Sequence, residues 1–562
     1  MSASSDLDLG RDPARWTLGH FLSDVAAAYA ERTAIVFEGR SISYRELERQ
    51  ARELSRALVG AGAVKGTRVA VFMANRPEWA VAAFAVARVG GVLVPVNTFA
   101  TSDERDYILR HSDASLLLLQ RTLLDRDLLA ELLDTHPEFV DGACGRLRST
   151  ALPQLRRIAC LGLEAEHGGV ESWSGLLAHA SDVSDQLVDA ACAEVRPADD
   201  GVIIYTSGTS DRPKGVLHAQ RAAVIQSYRF ADYLGLSSED RVWTAQPFFW
   251  TAGMAMSLGA TLAAGARLLV QQTFEPAAAL DLIETERATT IHAWPHQEQA
   301  LAAHETIAAR DLSSVRKSEF SSPLAAPAGL KEDSWGVYAS YGTSETFTIA
   351  SALPADAPAE IRHRTHGRPL PGMQVRIVDP ESGEPVAEDS AGEISFKGAT
   401  LMRGYYKVEP ELYLDEAGFF RSQDGGRIDR EGYLHWSGRL SDLIKTGGAN
   451  VSPLEIEAAL GELPGIRAGL AVGVAHPSLG EAVILCVLPS AGATPDEDAI
   501  RAHLREKLAA YKVPRRVLFF EEGEIAFTGN QKIQTAPLRQ AVLQRLRAER
   551  ALIAGFEYGD EA

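Results

Sequence analysis

Along the first part of the chain the apolar positions change period several times. Leu47, Ala51, Leu54 and Leu58 recur every three or four residues, which places them on one face of an amphipathic helix opening at Ser43. Ser43, followed three residues later by Glu46, fits a capping box at its start. Arg68–Met73 is a short β-rich run, Pro77–Val89 reads as a helix, and Val92–Val96 is a second β run. Strand, helix, strand in that order predicts a βαβ unit and a parallel sheet. Further strands are predicted at Ser115–Leu119, Val202–Tyr205 and Thr290–Ala293. Val375–Val378 and Glu393–Phe396 are short, turn-separated and flanked by Gly and Pro, the pattern of a small β-barrel or meander.

The clearest boundary falls near Gly438-Arg439-Leu440-Ser441-Asp442. Beyond it the chain starts again as an α/β module of ~120 residues, large enough for its own core. Its predicted elements are a helix at Pro453–Leu460, strands at Ala468–Ala475 and Ala482–Leu488, a helix at Glu497–Leu508 and a strand at Arg516–Phe520.

Composition narrows the function classes. The chain has 562 residues, 46% hydrophobic and 23% charged, values of a globular protein. Its 56 basic against 75 acidic residues leave a net charge of −19, which argues against nucleic acid as a partner. The longest apolar stretches, Trp79–Val96 and Met254–Val270, are interrupted by Arg88 and Arg267, so no membrane span is predicted. Cys144, Cys160, Cys192 and Cys486 lie far apart, without metal or redox spacing. The N-terminus is acidic and lacks an apolar secretory core. A cytoplasmic protein is expected.

The most informative segment is Tyr205-Thr206-Ser207-Gly208-Thr209-Ser210-Asp211-Arg212-Pro213-Lys214-Gly215-Val216, directly after a buried strand. Hydroxyls and glycines packed around one lysine make a loop able to surround a polyphosphate. It is not a Walker loop, because Gly215 follows Lys214 where that motif needs Ser or Thr.

With this string the chain resembles the adenylate-forming superfamily, which holds acyl-CoA synthetases, peptide-synthetase adenylation domains and beetle luciferases. Further motifs follow in the family's order: Tyr341-Gly342-Thr343-Ser344-Glu345-Thr346, Gly392-Glu393-Ile394 with Gly404-Tyr405-Tyr406, Phe420-Arg421-Ser422-Gln423-Asp424, Gly438–Lys445 with Gly447-Gly448, and Thr528-Gly529-Asn530-Gln531-Lys532-Ile533. The resemblance implies an α/β fold: a large N-terminal domain of two parallel-sheet α/β subdomains plus a small β-barrel, then a small mobile α+β C-terminal domain. It also implies an AMP-binding N-terminal domain over residues 1–438, a hinge over 439–442 and a C-terminal lid over 443–562.

The same resemblance implies site roles. Thr206, Ser207, Gly208, Thr209, Ser210 and Lys214 cradle the phosphates of ATP, and Glu345 is the Mg²⁺ ligand, as hard oxygen chemistry suits. Asp424 takes the ribose hydroxyls and Arg439 is the second ribose or phosphate contact. Tyr341 and Gly342 line the adenine, with Thr343, Ser344, Ser321, Ser322 and Pro323 completing the nucleotide site. Lys532 bridges the carboxylate and α-phosphate, so Lys532, Lys214, Thr206 and Glu345 form the catalytic set. Three positions depart from the family's usual residues: Gln423 and Gln531, where glycine is common, and the hinge residue Ser441, usually Asp or Lys.

For the acyl pocket, Gln246–Met254 resembles the family's pocket segment, with Trp250 as its aromatic. Phe248, Phe249, Trp250, Gly253 and Met254 are expected on one wall, Tyr338 and Ser340 beside Ser321 and Ser322 on the other. No acidic residue stands in these segments to meet an amino-acid ammonium, and the apolar lining suits a fatty, aryl or bulky alicyclic acid. Coenzyme A is the expected acceptor, entering past Trp250, Lys445, Gly447 and Gly448, with Lys512–Arg516 as a further phosphate contact. The implied function is an AMP-forming acyl-CoA synthetase using ATP, Mg²⁺ and coenzyme A. Loading of a separate acyl carrier protein, a catalytically weak nucleotide-binding relative, and a homodimer stay open.

Overall fold

In the computed structural model, which describes residues 7–206, 213–440, 442, 444–446, 449–461, 463–508, 512–525 and 535–559 apart from the side chains of residues 296, 449, 450 and 522, the first predicted helix runs over Tyr44–Gly60. Leu47, Ala51, Leu54 and Leu58 are all buried. The Ser43 hydroxyl accepts from the Glu46 amide at 3.1 Å, but only half the expected box forms. The Glu46 carboxylate turns to Arg49 and Gln50, because a guanidinium three residues on offers two bonds and a full positive charge where the Ser43 amide offers one bond and no net charge.

By contacts the chain divides into two units. The first comprises Met1–Val375, Phe396–Phe420 and Gly432–Leu434. It contains an eight-stranded sheet in the order Gly404–Tyr405, Lys214–Ala219, Asp200–Thr206, Val92–Pro95, Arg68–Phe72, Leu116–Gln120, Arg157–Leu161, Val170–Ser172. From Asp200–Thr206 onward neighbouring strands run parallel. Such strands are covered on both faces, and every residue of Leu116–Gln120 is accordingly buried. A second sheet of five strands, order Thr290–His292, Arg241–Thr244, Arg267–Val270, Thr33–Phe37, Arg40–Ser43, is parallel apart from its closing hairpin. Trp243, Leu269, Leu280 and Ile291 belong to the core on its flank.

The second unit comprises Arg376–Ser395, Arg421–Glu431 and His435–Ala562. Most of a four-stranded sheet, order Met373–Val378, Gly392–Gly398, Phe420–Ile428, Leu434–Arg439, falls in it. Its C-terminal sheet has the order Ala449–Val451, Ile444–Thr446, Gly480–Pro489, Ile466–His476, with Arg516–Phe519 parallel to Gly480–Pro489. The run Ala482–Leu488 is apolar throughout because it is buried on both faces. Ile484, Cys486 and Leu488 pack with Val542 and Leu546, while Val483, Leu485 and Val487 pack with Ile456 and Leu504. Among the described residues no helix is long and apolar enough to cross a membrane, and the four cysteines are unpaired.

Candidate active site

The predicted phosphate loop leaves one strand and enters another. Asp200–Thr206 and Lys214–Ala219 are antiparallel, and Thr206 is the register partner of Lys214, so loop closure holds the two side by side. Ser207, Gly208, Thr209 and Ser210 lie outside the described residues. The edge strand Gly404–Tyr405 pairs with Lys214–Ala219, bringing Tyr405 opposite Val216. There the Tyr405 hydroxyl donates to Glu345 Oε1 at 2.6 Å, and Lys214 Nζ stands 5.0 Å from the centre of the Tyr405 ring. The lysine and the glutamate singled out by sequence are thus joined through a tyrosine to which sequence reasoning assigned no role.

Glu345 sits in a tight turn, Ser344–Thr346, whose backbone is held from several sides. Phe347 and Thr348 take left-handed conformations (φ 53° and 91°), which bulky residues avoid unless their surroundings over-determine them. Gln226, fully buried on the helix Gln220–Tyr233, supplies that constraint. Its amide donates to the carbonyls of Thr346, Phe347 and Ile349 at 3.2, 2.9 and 2.7 Å. His218 Nε2 donates to the Ser344 carbonyl at 2.8 Å, and its ring meets Phe347 edge-on at 4.8 Å. Complete burial pushes this imidazole down to about 4, so near neutrality it is uncharged and Nε2 carries the proton. The turn also gives the reason for Gly342: a Cβ there would collide with the backbone of Thr348 and Ile349. The close approach that this glycine permits is to its own loop. Tyr341 is buried and stacks on Phe396, ring centres 5.7 Å apart.

Beside the predicted acyl segment, Asn75 donates to the Gln246 carbonyl (2.9 Å) and accepts from the Phe248 amide (2.8 Å), pinning the loop that carries Trp250. A π-helix follows at Ala252–Gly259, a rare form that often marks functional sites. Trp250 belongs to an aromatic group with Phe249 at 5.1 Å, Phe99 at 6.4 Å and Trp294 at 6.5 Å. Phe248 and Met254 face inward instead: Phe248 packs on Trp79, and Met254 lines a small apolar cavity with Phe21 and Phe84. A Cβ on Gly253 would strike the Pro247 carbonyl, so this glycine serves the loop's own packing. On the other wall, Ser321 and the half-exposed Tyr338 share a 2.7 Å hydrogen bond, and the Ser340 hydroxyl donates to the Val337 carbonyl at 2.8 Å. Ser322 is buried and Pro323 exposed.

In the second unit, Asp424 is buried and its Oδ1 pairs with Arg439 Nε at 3.0 Å. Arg439 also donates to the Ser422 carbonyl at 2.9 Å, and the Ser422 hydroxyl accepts from the Asp424 amide at 3.0 Å. Gln423 between them has φ 60°, the left-handed region where glycine costs least, and its amide is held by Glu393 at 2.8 Å. Lys445 is exposed, and Ile444–Thr446 pairs antiparallel with Ala449–Val451; Gly447, Gly448, Ser441, Gln531 and Lys532 lie outside the described residues. The basic run is engaged locally, Lys512 with Glu455 at 2.6 Å and Arg516 with Glu497 at 2.6 Å.

The AMP-binding enzyme family matches residues 22–406, and the C-terminal domain of AMP-binding enzymes matches residues 455–532. The chain is an AMP-binding enzyme. It stands on the acyl-CoA synthetase branch of the adenylate-forming superfamily, whose reaction is AMP-forming acid–thiol ligation. Among similar proteins, an indoleacetate–CoA ligase of Aromatoleum aromaticum is 30% identical over 92% of this chain and 96% of its own length. A feruloyl-CoA synthase of an Amycolatopsis species is 30% identical over 90% and 95%. The crystal structure of ATP-bound MatB from Rhodopseudomonas palustris superposes with a TM-score of 0.75 at 26% identity, covering 93% of this chain and 99% of that one. The AMP-binding enzyme thus has the family's two-domain order, and the structure adds Tyr405, His218, Gln226, Phe99 and Trp294 to the residues named from sequence. Of these only Tyr405 carried a signal in sequence, through its place in the Gly404-Tyr405-Tyr406 motif.

Proposed function

We propose that the enzyme activates an apolar acid, an aryl acid before a fatty or bulky alicyclic one, with Mg-ATP and passes the acyl group to coenzyme A. The observation that carries this reading is the Lys214–Tyr405–Glu345 grouping at the mouth of the phosphate loop. In the first step a carboxylate oxygen attacks the α-phosphorus, its bond to the bridging oxygen breaks, and pyrophosphate leaves. In the second the thiol of coenzyme A attacks the acyl carbonyl, loses its proton, and AMP departs. Both steps concentrate negative charge, so the protein's part is to place cations and donors.

Thr206 and Lys214 meet the phosphates. Glu345, which makes no salt bridge among the described residues, supplies a hard carboxylate ligand suited to Mg²⁺; bound there, the ion would neutralise phosphate charge. Asp424 receives the ribose hydroxyls, with Arg439 fixing its carboxylate. Tyr341 and Gly342 border the adenine. Trp250 and its aromatic neighbours receive the acyl group, and the ring-bearing acids in the names of the two relatives above support an aryl substrate. Lys532 serves adenylation and Gly447-Gly448 the thiol's path, with residues 443–562 turning against 1–438 at Ser441. The cytosol is the compartment that four unpaired thiols suit.

The test is acid-dependent exchange of labelled pyrophosphate into ATP without coenzyme A, over a panel of aryl, fatty and alicyclic acids. Exchange that requires Mg²⁺ and an acid, followed by AMP release and thioester formation on adding coenzyme A, is the expected result. Acyl transfer to a carrier protein but not to coenzyme A would reassign the acceptor.

A further inference from the structure

The segments that form the two predicted pocket walls contain no acidic residue, yet folding brings one between them. Glu298 lies on the helix Pro295–Ala302, and its amide hydrogen-bonds to the Trp294 carbonyl at 3.1 Å, one turn back. That bond ties Glu298 through the backbone to Trp294, the residue that caps this helix and that belongs with Phe99, Phe249 and Trp250 to the aromatic group. On its other side is the second wall. The Ser322 hydroxyl faces the Glu298 carboxyl, and Tyr338, bonded to Ser321, feels the charges of both Glu298 and Glu319. Among the described residues Glu298 has no ion-pair partner, and burial pushes its pKa up. Around it large ring-bearing side chains reach solvent: Phe99 is 61%, Trp294 36% and Tyr338 50% exposed. Clustered exposed aromatics of this kind mark a surface that something covers.

We propose that Glu298 is a specificity-determining residue of the acyl pocket, accepting a hydrogen bond from a hydroxyl or amino group on the ring of an aryl acid that packs against Trp250 and Trp294. This rests on the acyl-ligase reading above. A ring lying on the aromatic group presents its substituents toward Glu298, the acidic side chain that the Ser322 hydroxyl of the second wall faces. An acid lacking the donor would leave a part-buried carboxyl with only the Ser322 hydroxyl to meet it, a mismatch that a polar site discriminates against.

The experiment compares cinnamate with para-coumarate and para-aminocinnamate, and benzoate with its para-hydroxy and para-amino forms, by pyrophosphate exchange in the full-length enzyme. The expected wild-type result is a kcat/KM at least ~10-fold higher for a donor-bearing acid than for its parent. In Glu298→Leu that ratio falls to about one; in the near-isosteric Glu298→Gln, which keeps an acceptor oxygen, it falls less. The hydroxy and amino arms tell the two donors apart. A wild-type ratio near one, or a ratio unchanged in folded Glu298→Leu and Glu298→Gln, overturns the inference while the ligase reading stands. Absence of exchange with every acid of the wider panel removes the ligase reading, and the inference with it.

Discussion

The Tyr405 hydroxyl donates to Glu345 Oε1 across 2.6 Å, from an edge strand of the eight-stranded sheet to the turn after Tyr341. Its ring is also the surface beside Lys214, so one side chain touches both the anion proposed to hold Mg²⁺ and the cation proposed to meet phosphate.

Tyr405→Phe keeps the ring contacts with Tyr413 and Phe420 and removes only the donor. A hydrogen bond to a charged group contributes about 1.5–3 kcal/mol. The expected outcome is a ~10–100-fold loss in pyrophosphate exchange and a raised Mg²⁺ requirement, with the fold's stability lowered by no more than that bond contributes, about 1.5–3 kcal/mol by urea unfolding. An unchanged rate at all Mg²⁺ concentrations would free Tyr405 of this role.

His218 sets an acid limit on stability. Its pKa is near 4 in the fold against about 6.5 unfolded, so the unfolded chain binds a proton that the native state refuses. Its contribution is present above pH 6.5 and is lost as pH falls toward 4. His218→Gln keeps a donor for the Ser344 carbonyl and does not titrate. Urea unfolding at pH 7 and pH 4.5 should show the variant losing about 2–3 kcal/mol less than wild type between those values. Parallel losses would show that His218 is protonated without penalty.

At Gln423 the left-handed backbone is the constraint. Gln423→Gly should be as stable as the parent, or more stable by up to about 1 kcal/mol, with Asp424 and Arg439 still paired. Gln423→Val, β-branched and ill suited to positive φ, should lose about 1–2 kcal/mol. Chemical denaturation decides; a tolerated valine would mean that the strand Phe420–Ile428 relaxes at this position.

The two half-reactions separate the roles proposed for the C-terminal module. Lys532→Ala should cripple adenylation, by ~100-fold or more, while sparing transfer from a pre-made acyl-adenylate to coenzyme A. Gly447→Leu should do the reverse, because a side chain would obstruct the thiol. Single-turnover kinetics of each step in both folded variants checks this, and equal losses in both steps for both variants would end the account of a turning module.

The order of motifs, the helix face of Leu47 to Leu58 and the all-apolar strands were legible in the chain because each depends on neighbours in sequence: periodicity, a hydroxyl three residues from a glutamate, a glycine-rich string after a strand. Even there local signals had limits, since Glu46 preferred Arg49 to closing its cap. Tertiary structure decided what depends on residues far apart. It sent Thr290–His292 to one parallel sheet and Leu116–Gln120 to another, although both read as the same kind of strand. It put Tyr405 between Lys214 and Glu345, turned Phe248 into the core, made Gly342 a partner of its own loop, and carried Glu298 to the junction of two walls whose sequences contain no acid. Spacing along a chain cannot encode these meetings. They arise when strand order and the burial of apolar faces bring residues separated by tens or hundreds of positions to one place.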